Sequence, residues 1–297
     1  MKNTSYQHKV IMHANAYILT VTCPAKTGIV AAVTSFLAES QCYITEMAQY
    51  DDEMTQKFFC RIMFRRDSQL SPTIETLRQQ FAVIAGNFAM QWGITNATRA
   101  TRVVLMVSKA DHCLVDLLYR KNKGDLNMNV VCVVSNHMEL RSLVEREGIR
   151  FVCLPVDKTN KAEQEARMLE IVADTQAELV VLARYMQILS DDACRKLAGM
   201  CINIHHSFLP GFKGARPYHQ AYDRGVKLIG ATAHYVTSDL DEGPIIEQSV
   251  ERVDHTYQPE ALAALGRDLE NSALAKAVRL HIERRVFMDG NKTVVFK

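Results

Sequence analysis

Arg102-Val103-Val104-Leu105-Met106-Val107 opens on one charge and then runs apolar and largely β-branched, the composition of a strand covered on both faces. The residues after it change period, and Asp111 to Tyr119 reads as a helix. The same unit recurs downstream. Asn129 to Ser135 and Met138 to Glu147 repeat strand and helix, and Phe151 to Leu154, Lys161 to Thr175 and Glu178 to Ala183 continue the alternation. Near-continuous apolar strands alternating with helices predict a mostly parallel sheet in an α/β domain with helices on both faces. Ligands of such sheets sit beyond the carboxyl ends of the strands. The polar end of a later apolar run, Asn203 to His206, fits that rule. A long polar-faced helix from about Pro259 to Glu283 and a last strand near Thr293 to Phe296 close the pattern.

Upstream the order differs. Tyr17 to Thr22 reads as a strand, Cys23 to Gly28 as a loop and Gly28 to Glu39 as a helix. Cys42 to Tyr50 and Lys57 to Phe64 read as strands parted by Asp51-Asp52-Glu53, followed by a helix from Pro72 to Phe88 and a short strand from Gln91 to Thr95. That is βαββαβ, a ferredoxin-like sandwich. Asn96 to Thr101 reads as a connector, which sets expected boundaries at residues 1–96, a linker at 97–101 and a second domain at 102–297. No pattern in the first domain suggests catalysis.

Composition limits the function classes. The 297 residues carry a net charge of +2, 48% hydrophobic and 23% charged residues, an ordinary globular balance. The Lys and Arg are scattered as solvated faces are, so no nucleic-acid partner is expected. Apolar stretches fall short of a membrane span and the first residues lack a signal-peptide core, so a cytoplasmic protein is expected. The eight cysteines show no C-x-x-C spacing and read as free thiols in a reducing compartment.

Two motifs carry chemistry: N-I-H-H-S-F-L-P-G-F-K-G from Asn203 to Gly214, and Y-V-T-S-D-L-D-E-G-P from Tyr235 to Pro244. If Met200-Cys201-Ile202 leads a strand, alternation places Asn203 and His205 on one face and Ile202 and Ile204 on the other. An amide donor beside an imidazole suits a carbonyl whose oxygen gains charge during attack. Asp241, in a turn ended by Gly243-Pro244, supplies a carboxylate that can fix an imidazole tautomer. His206, His219 and His234 match no metal-ligand spacing, so no metal is expected; His234 reads as a core or supporting group.

Together these motifs resemble the signature of the folate-dependent formyltransferase superfamily, which implies a Rossmann-like formyltransferase domain with Asn203, His205 and Asp241 as its catalytic trio. The resemblance also implies folate contacts at Leu182, Met186, Gln187, Ile188 and Leu189, with backbone from Val236 to Asp241, Leu240 included, along the pterin edge and Lys213 near the product or the folate tail. Arg184 and Gln187 depart from some relatives. The phrase Leu19 to Val30 resembles the opening of an ACT domain, implying an amino-acid effector at Pro24, Lys26, Thr27 and Gly28 and an even-numbered homo-oligomer, a dimer or tetramer.

Within the superfamily, the segment Val107-Ser108-Lys109-Ala110-Asp111-His112-Cys113 has no glycine and places Asp111 where a phosphate-cradling loop would lie. That disfavours the glycinamide ribonucleotide enzymes. The methionyl-tRNA enzymes carry a further RNA-contacting domain. The whole chain is similar to formyltetrahydrofolate deformylases, which implies hydrolysis of 10-formyltetrahydrofolate to tetrahydrofolate and formate, no permanently bound cofactor, and formate feeding purine synthesis. A folate-binding amino-acid sensor without turnover, or a transferase with an unrecognised amine acceptor, are the alternatives.

Overall fold

The structure, a computed structural model, describes residues 15–67, 69–207 and 217–297. The chain divides between Arg99 and Ala100 into two compact units.

The first unit runs β1 (Ala16–Pro24), α1 (Ile29–Glu39), β2 (Cys42–Asp52), β3 (Lys57–Arg66), α2 (Ile74–Asn87) and β4 (Gln91–Asn96). Its antiparallel sheet has the order β2-β3-β1-β4, so the ferredoxin-like reading holds. One face of the sheet is built by alternation: Leu19 and Val21 of β1 join Ile62 and Phe64 of β3. The helices supply Val33, Phe36 and Leu37, and Leu77 and Phe81, to the same core. α2 starts at Thr73, whose hydroxyl accepts the Thr76 N–H at 3.2 Å, a cap worth about 1 kcal/mol.

The second unit opens with β5 (Thr101–Val107), α3 (His112–Lys123), β6 (Met128–Ser135), α4 (Arg141–Arg146), β7 (Phe151–Cys153), α5 (Lys161–Asp174) and β8 (Leu179–Leu182). It continues with α6 (Asp191–Lys196), β9 (Cys201–His205), α7 (Pro217–Asp223), β10 (Leu228–Tyr235), β11 (Ile245–Arg252), α8 (Pro259–Ile282), β12 (Val286–Asp289) and β13 (Lys292–Val295). The large sheet has the order β11-β10-β9-β8-β5-β6-β7. From β9 to β7 the strands are parallel; β10 and β11 add an antiparallel edge. Val103, Val104, Leu105 and Val107 are fully buried, as a strand covered on both faces must be. One face packs on α3 and α8, the other on α5 and α6. β5 is flanked by β6, next in the chain, and by β8, to which the chain returns from β7 on the far edge, so the connections leave in opposite directions and open a crevice at the carboxyl ends.

α8 keeps its expected polar face, with Glu260, Arg267, Asp268, Ser272 and Arg279 exposed, while Ala273, Leu274, Ala275, Ala277 and Val278 are buried on its other sides. Two expectations change. The helix expected over Met138 to Glu147 shortens to α4, because Arg141 N–H bonds to Met138 O in a preceding turn. The last strand is half of the hairpin β12–β13, whose first strand the sequence pattern did not reveal.

Candidate active site

β9 alternates as the motif requires. Ile202 and Ile204 enter the core beneath α8, while Asn203 and His205 lie on the opposite face. β10 pairs antiparallel with β9 and sets His234 opposite Asn203 and Thr232 opposite His205. Beyond β10 the chain turns through Thr237, whose hydroxyl bonds to Asp239 O at 3.2 Å, and reaches Asp241 in a left-handed conformation (φ +57°). An aspartate tolerates that region better than most side chains.

The turn returns Asp241 to the strand ends. Its Oδ2 lies 3.1 Å from His205 Nδ1, and its Oδ1 lies 3.8 Å from His234 Nε2. His234 Nδ1 is 2.9 Å from Tyr235 O, and His234 Nε2 is 3.3 Å from Asn203 Nδ2. A carbonyl only accepts, so Nδ1 carries a proton and the Asn203 amide donates to Nε2. One amide hydrogen of Asn203 is left for another acceptor. Burial pushes the Asp241 carboxyl up, but the hydrogen bond from His205 and the facing His234 ring outweigh it and hold the pKa well below the usual carboxylate range. His205 Nε2 is buried without a hydrogen-bond partner among the described residues.

Gly243 makes the turn fit. A β-carbon there would stand 1.8 Å from Tyr235 O, the carbonyl that accepts from His234.

A second charged group adjoins the first. Glu270 on α8, 2% exposed, accepts from His112 Nε2 at 2.8 Å and Tyr218 Oη at 2.9 Å, and pairs with Arg184 Nε at 3.3 Å. Burial raises its pKa, but these donors outweigh burial and lower it. His206, whose ring centroid lies 5.0 Å from that of His205, is pushed down to about 4 by burial and then by the Arg184 charge, which keeps it neutral at neutral pH.

The formyl transferase family model matches residues 101–278. A formyltetrahydrofolate deformylase of Corynebacterium sp. (strain P-1) is 54% identical over 95% of this chain and 98% of its own. The chain belongs to the formyltetrahydrofolate deformylase family. A crystal structure of the deformylase from Burkholderia mallei ATCC 23344 is 52% identical, with a TM-score of 0.91 over 95% of this chain and all of that one. The glycinamide ribonucleotide transformylase 1 of Symbiobacterium toebii is 26% identical, with a TM-score of 0.63 over 69% of this chain. Likeness to the deformylase family therefore spans almost the whole chain, and likeness to that transferase only part of it.

In this deformylase-family chain the expected folate contacts separate into two groups. Met186 and Ile188, each 59% exposed, and Leu240, 54% exposed, present apolar side chains to solvent. Leu182 and Leu189 lie inside the core on the α5 side instead, and Val236 packs against the same cluster. Gln187 is half-buried between the two exposed residues. Lys213 lies outside the described residues. His219 is exposed on α7.

In the first unit, Pro24, Lys26, Thr27 and Gly28 form an exposed loop, with Lys26 Nζ 5.6 Å from the Phe88 ring centroid. Gly28 is required for its left-handed φ of +94° and not for close approach, since nothing lies within 4 Å of a β-carbon there. His112, Cys113 and Glu270 offer three ligand atoms within 4.8 Å of one another. They do not form a good cation site, because Arg184 already pairs with the carboxylate and burial raises the Cys113 thiol pKa. All eight cysteines are free, and no helix among the described residues is long and apolar enough to cross a membrane.

Proposed function

We propose that this chain hydrolyses 10-formyltetrahydrofolate to tetrahydrofolate and formate, with water as the acceptor. The observation that carries the reading is the pairing of His205 with Asp241 beside Asn203, in a chain that resembles deformylases over 95% of its length.

Asn203 donates its remaining amide hydrogen to the formyl oxygen as charge develops there. His234 holds that amide in place from the facing strand. His205 is anchored through Nδ1, so Nε2 is the nitrogen that exchanges protons in the crevice. An Asp241 held well below the carboxylate range is a poor acceptor for the proton of water and a good anchor for an imidazole. We therefore assign the relay to His205. Water adds to the formyl carbon and gives its proton to Nε2. The carbon–nitrogen bond then breaks, the folate nitrogen takes the proton, and formate leaves.

Met186, Ile188 and Leu240 are the apolar surface on which the folate ring lies. The exposed start of α1, which has no side-chain cap, is the place for an amino-acid carboxylate in the first unit, within a homo-oligomer.

The test is formate and tetrahydrofolate release from 10-formyltetrahydrofolate with no amine present. Equimolar release, abolished by Asn203→Ala or Asp241→Ala, is expected. Turnover that starts only on addition of an amine would overturn the reading in favour of a transferase.

A further inference from the structure

The segment between β5 and α3, Val107 to Cys113, has no part in the chemistry above, yet its polar side chains hold one short piece of chain from two directions. Ser108, 2% exposed, donates its hydroxyl to Asn136 Oδ1 at 2.6 Å. The Ser108 Oγ in turn accepts the backbone N–H of Met186 at 3.0 Å. Asn136, 7% exposed, follows β6, so the end of the neighbouring strand fixes the direction of the hydroxyl and leaves a lone pair facing Met186.

His112 acts at one remove. It holds Glu270, and Glu270 holds the Arg184 side chain. Arg184 and Met186 lie just past the end of β8, one gripped by its side chain and the other by its backbone. Arg184 has a φ of +64°, a region that an arginine does not favour by itself. The turn is therefore held by its partners and not by local preference.

This turn stands at the crevice between β5 and β8, where an open α/β sheet receives its ligand. A surface that is already formed binds without first being ordered, which strengthens binding without touching the reaction. We infer that Ser108, aimed by Asn136, is a positioning residue for the substrate: it presets the Met186–Ile188 turn as the folate-ring surface, with Glu270 and Arg184 as the second fixing point. The inference rests on the reading of Met186 and Ile188 as ring contacts.

The experiment uses the full chain and measures KM and kcat for 10-formyltetrahydrofolate and Kd for tetrahydrofolate. Ser108→Ala is expected to raise KM and Kd about tenfold, the effect of one buried hydrogen bond lost, with kcat within about twofold. Asn136→Ala keeps the acceptor for Met186 and loses only its direction, so KM should rise about threefold. Should Ser108→Ala fail to fold, Asn136→Ala decides the question. Unchanged KM and Kd, or a fall in kcat at constant KM, would overturn the inference. Ile188→Ala separates the two readings. If it leaves KM unchanged, the ring contact is wrong; if it raises KM while Ser108→Ala does not, only the clamp is wrong.

Discussion

Gly243→Ala tests the geometry of the active site without altering any group assigned to the chemistry. The added methyl would sit 1.8 Å from Tyr235 O, 2.9 Å from Tyr235 C and 3.1 Å from His234 Nδ1. A contact of about 3 Å to the carbonyl oxygen requires the two backbone segments to part by about 1.2 Å, and both are backbone, so no side-chain rotation relieves the clash. Tyr235 also donates its N–H to Pro244 O at 2.9 Å, which ties the same two segments together. Parting them loosens the carbonyl that orients His234 and carries Asp241, two residues upstream, away from His205. Overpacking of this kind costs about 1–3 kcal/mol of stability. A displacement of about 1 Å at a reacting group costs on the order of 10²-fold in rate. Formate release at saturating substrate, with a thermal melt of the same preparation, reads both effects. The expected result is a folded protein with a lower Tm and kcat reduced by about two orders of magnitude. A soluble variant whose kcat stays within about twofold of the parent would refute the argument, because the turn would then not set the Asp241–His205 distance.

Asn203→Asp should lose more than the ~10²–10³-fold in kcat typical of a removed oxyanion donor, because it places negative charge where negative charge develops; side-by-side kinetics with Asn203→Ala check the order. His234→Phe removes the acceptor that aims the Asn203 amide, so kcat should fall about tenfold or more with little change in KM, read by the same formate assay. His281, on the core side of α8, accepts or donates a 2.7 Å bond with Tyr235 Oη, and burial, then the Arg284 charge, pushes its pKa down to about 4. A depressed folded pKa means that the unfolded chain binds the proton more readily. Stability is therefore full above about pH 6.5 and falls by roughly 3 kcal/mol as pH drops to 4. Denaturant melts from pH 7 to pH 4.5 should show a shallower loss in His281→Leu than in the parent, and equal slopes would refute the assignment.

What could be read from the chain depended on whether a feature repeats along it or depends on pairing across it. Strands such as Val103 to Val107 announce themselves because both faces are buried and the whole run is apolar. The Asn203/His205 face was legible because alternation is local, and the structure places Ile202 and Ile204 in the core as alternation demands. The position of His234 was not legible. It faces Asn203 only because β10 pairs antiparallel with β9 in one register, and no single strand contains its partner's register. Glu270 was hidden for a related reason: a carboxylate in a helical run reads as solvated, and it became a buried hub only when α8 was enclosed and His112, Tyr218 and Arg184 arrived from three other parts of the chain. Motif resemblance marks the whole stretch from Leu182 to Leu189 as ligand-facing, but only the folded chain separates its members: Leu182 and Leu189 anchor its two ends in the core, and Met186 and Ile188 between them remain open to solvent.

The active site is thus divided between residues that a motif can name and residues that only topology can supply. In the proposed mechanism Asn203, His205 and Asp241 provide the reacting groups, but each is aimed by something outside its own motif or by a backbone conformation that the motif merely permits. Asn203 depends on His234; His205 and Asp241 depend on a turn that only a glycine at 243 allows to close. Preorganised donors act without reorganisation during the reaction, so misaiming the trio should cost rate as surely as deleting one member. For this chain the supporting residues are therefore as diagnostic of function as the reacting ones. A relative that kept the trio but replaced His234 and Gly243 should bind folate and hydrolyse its formyl group poorly.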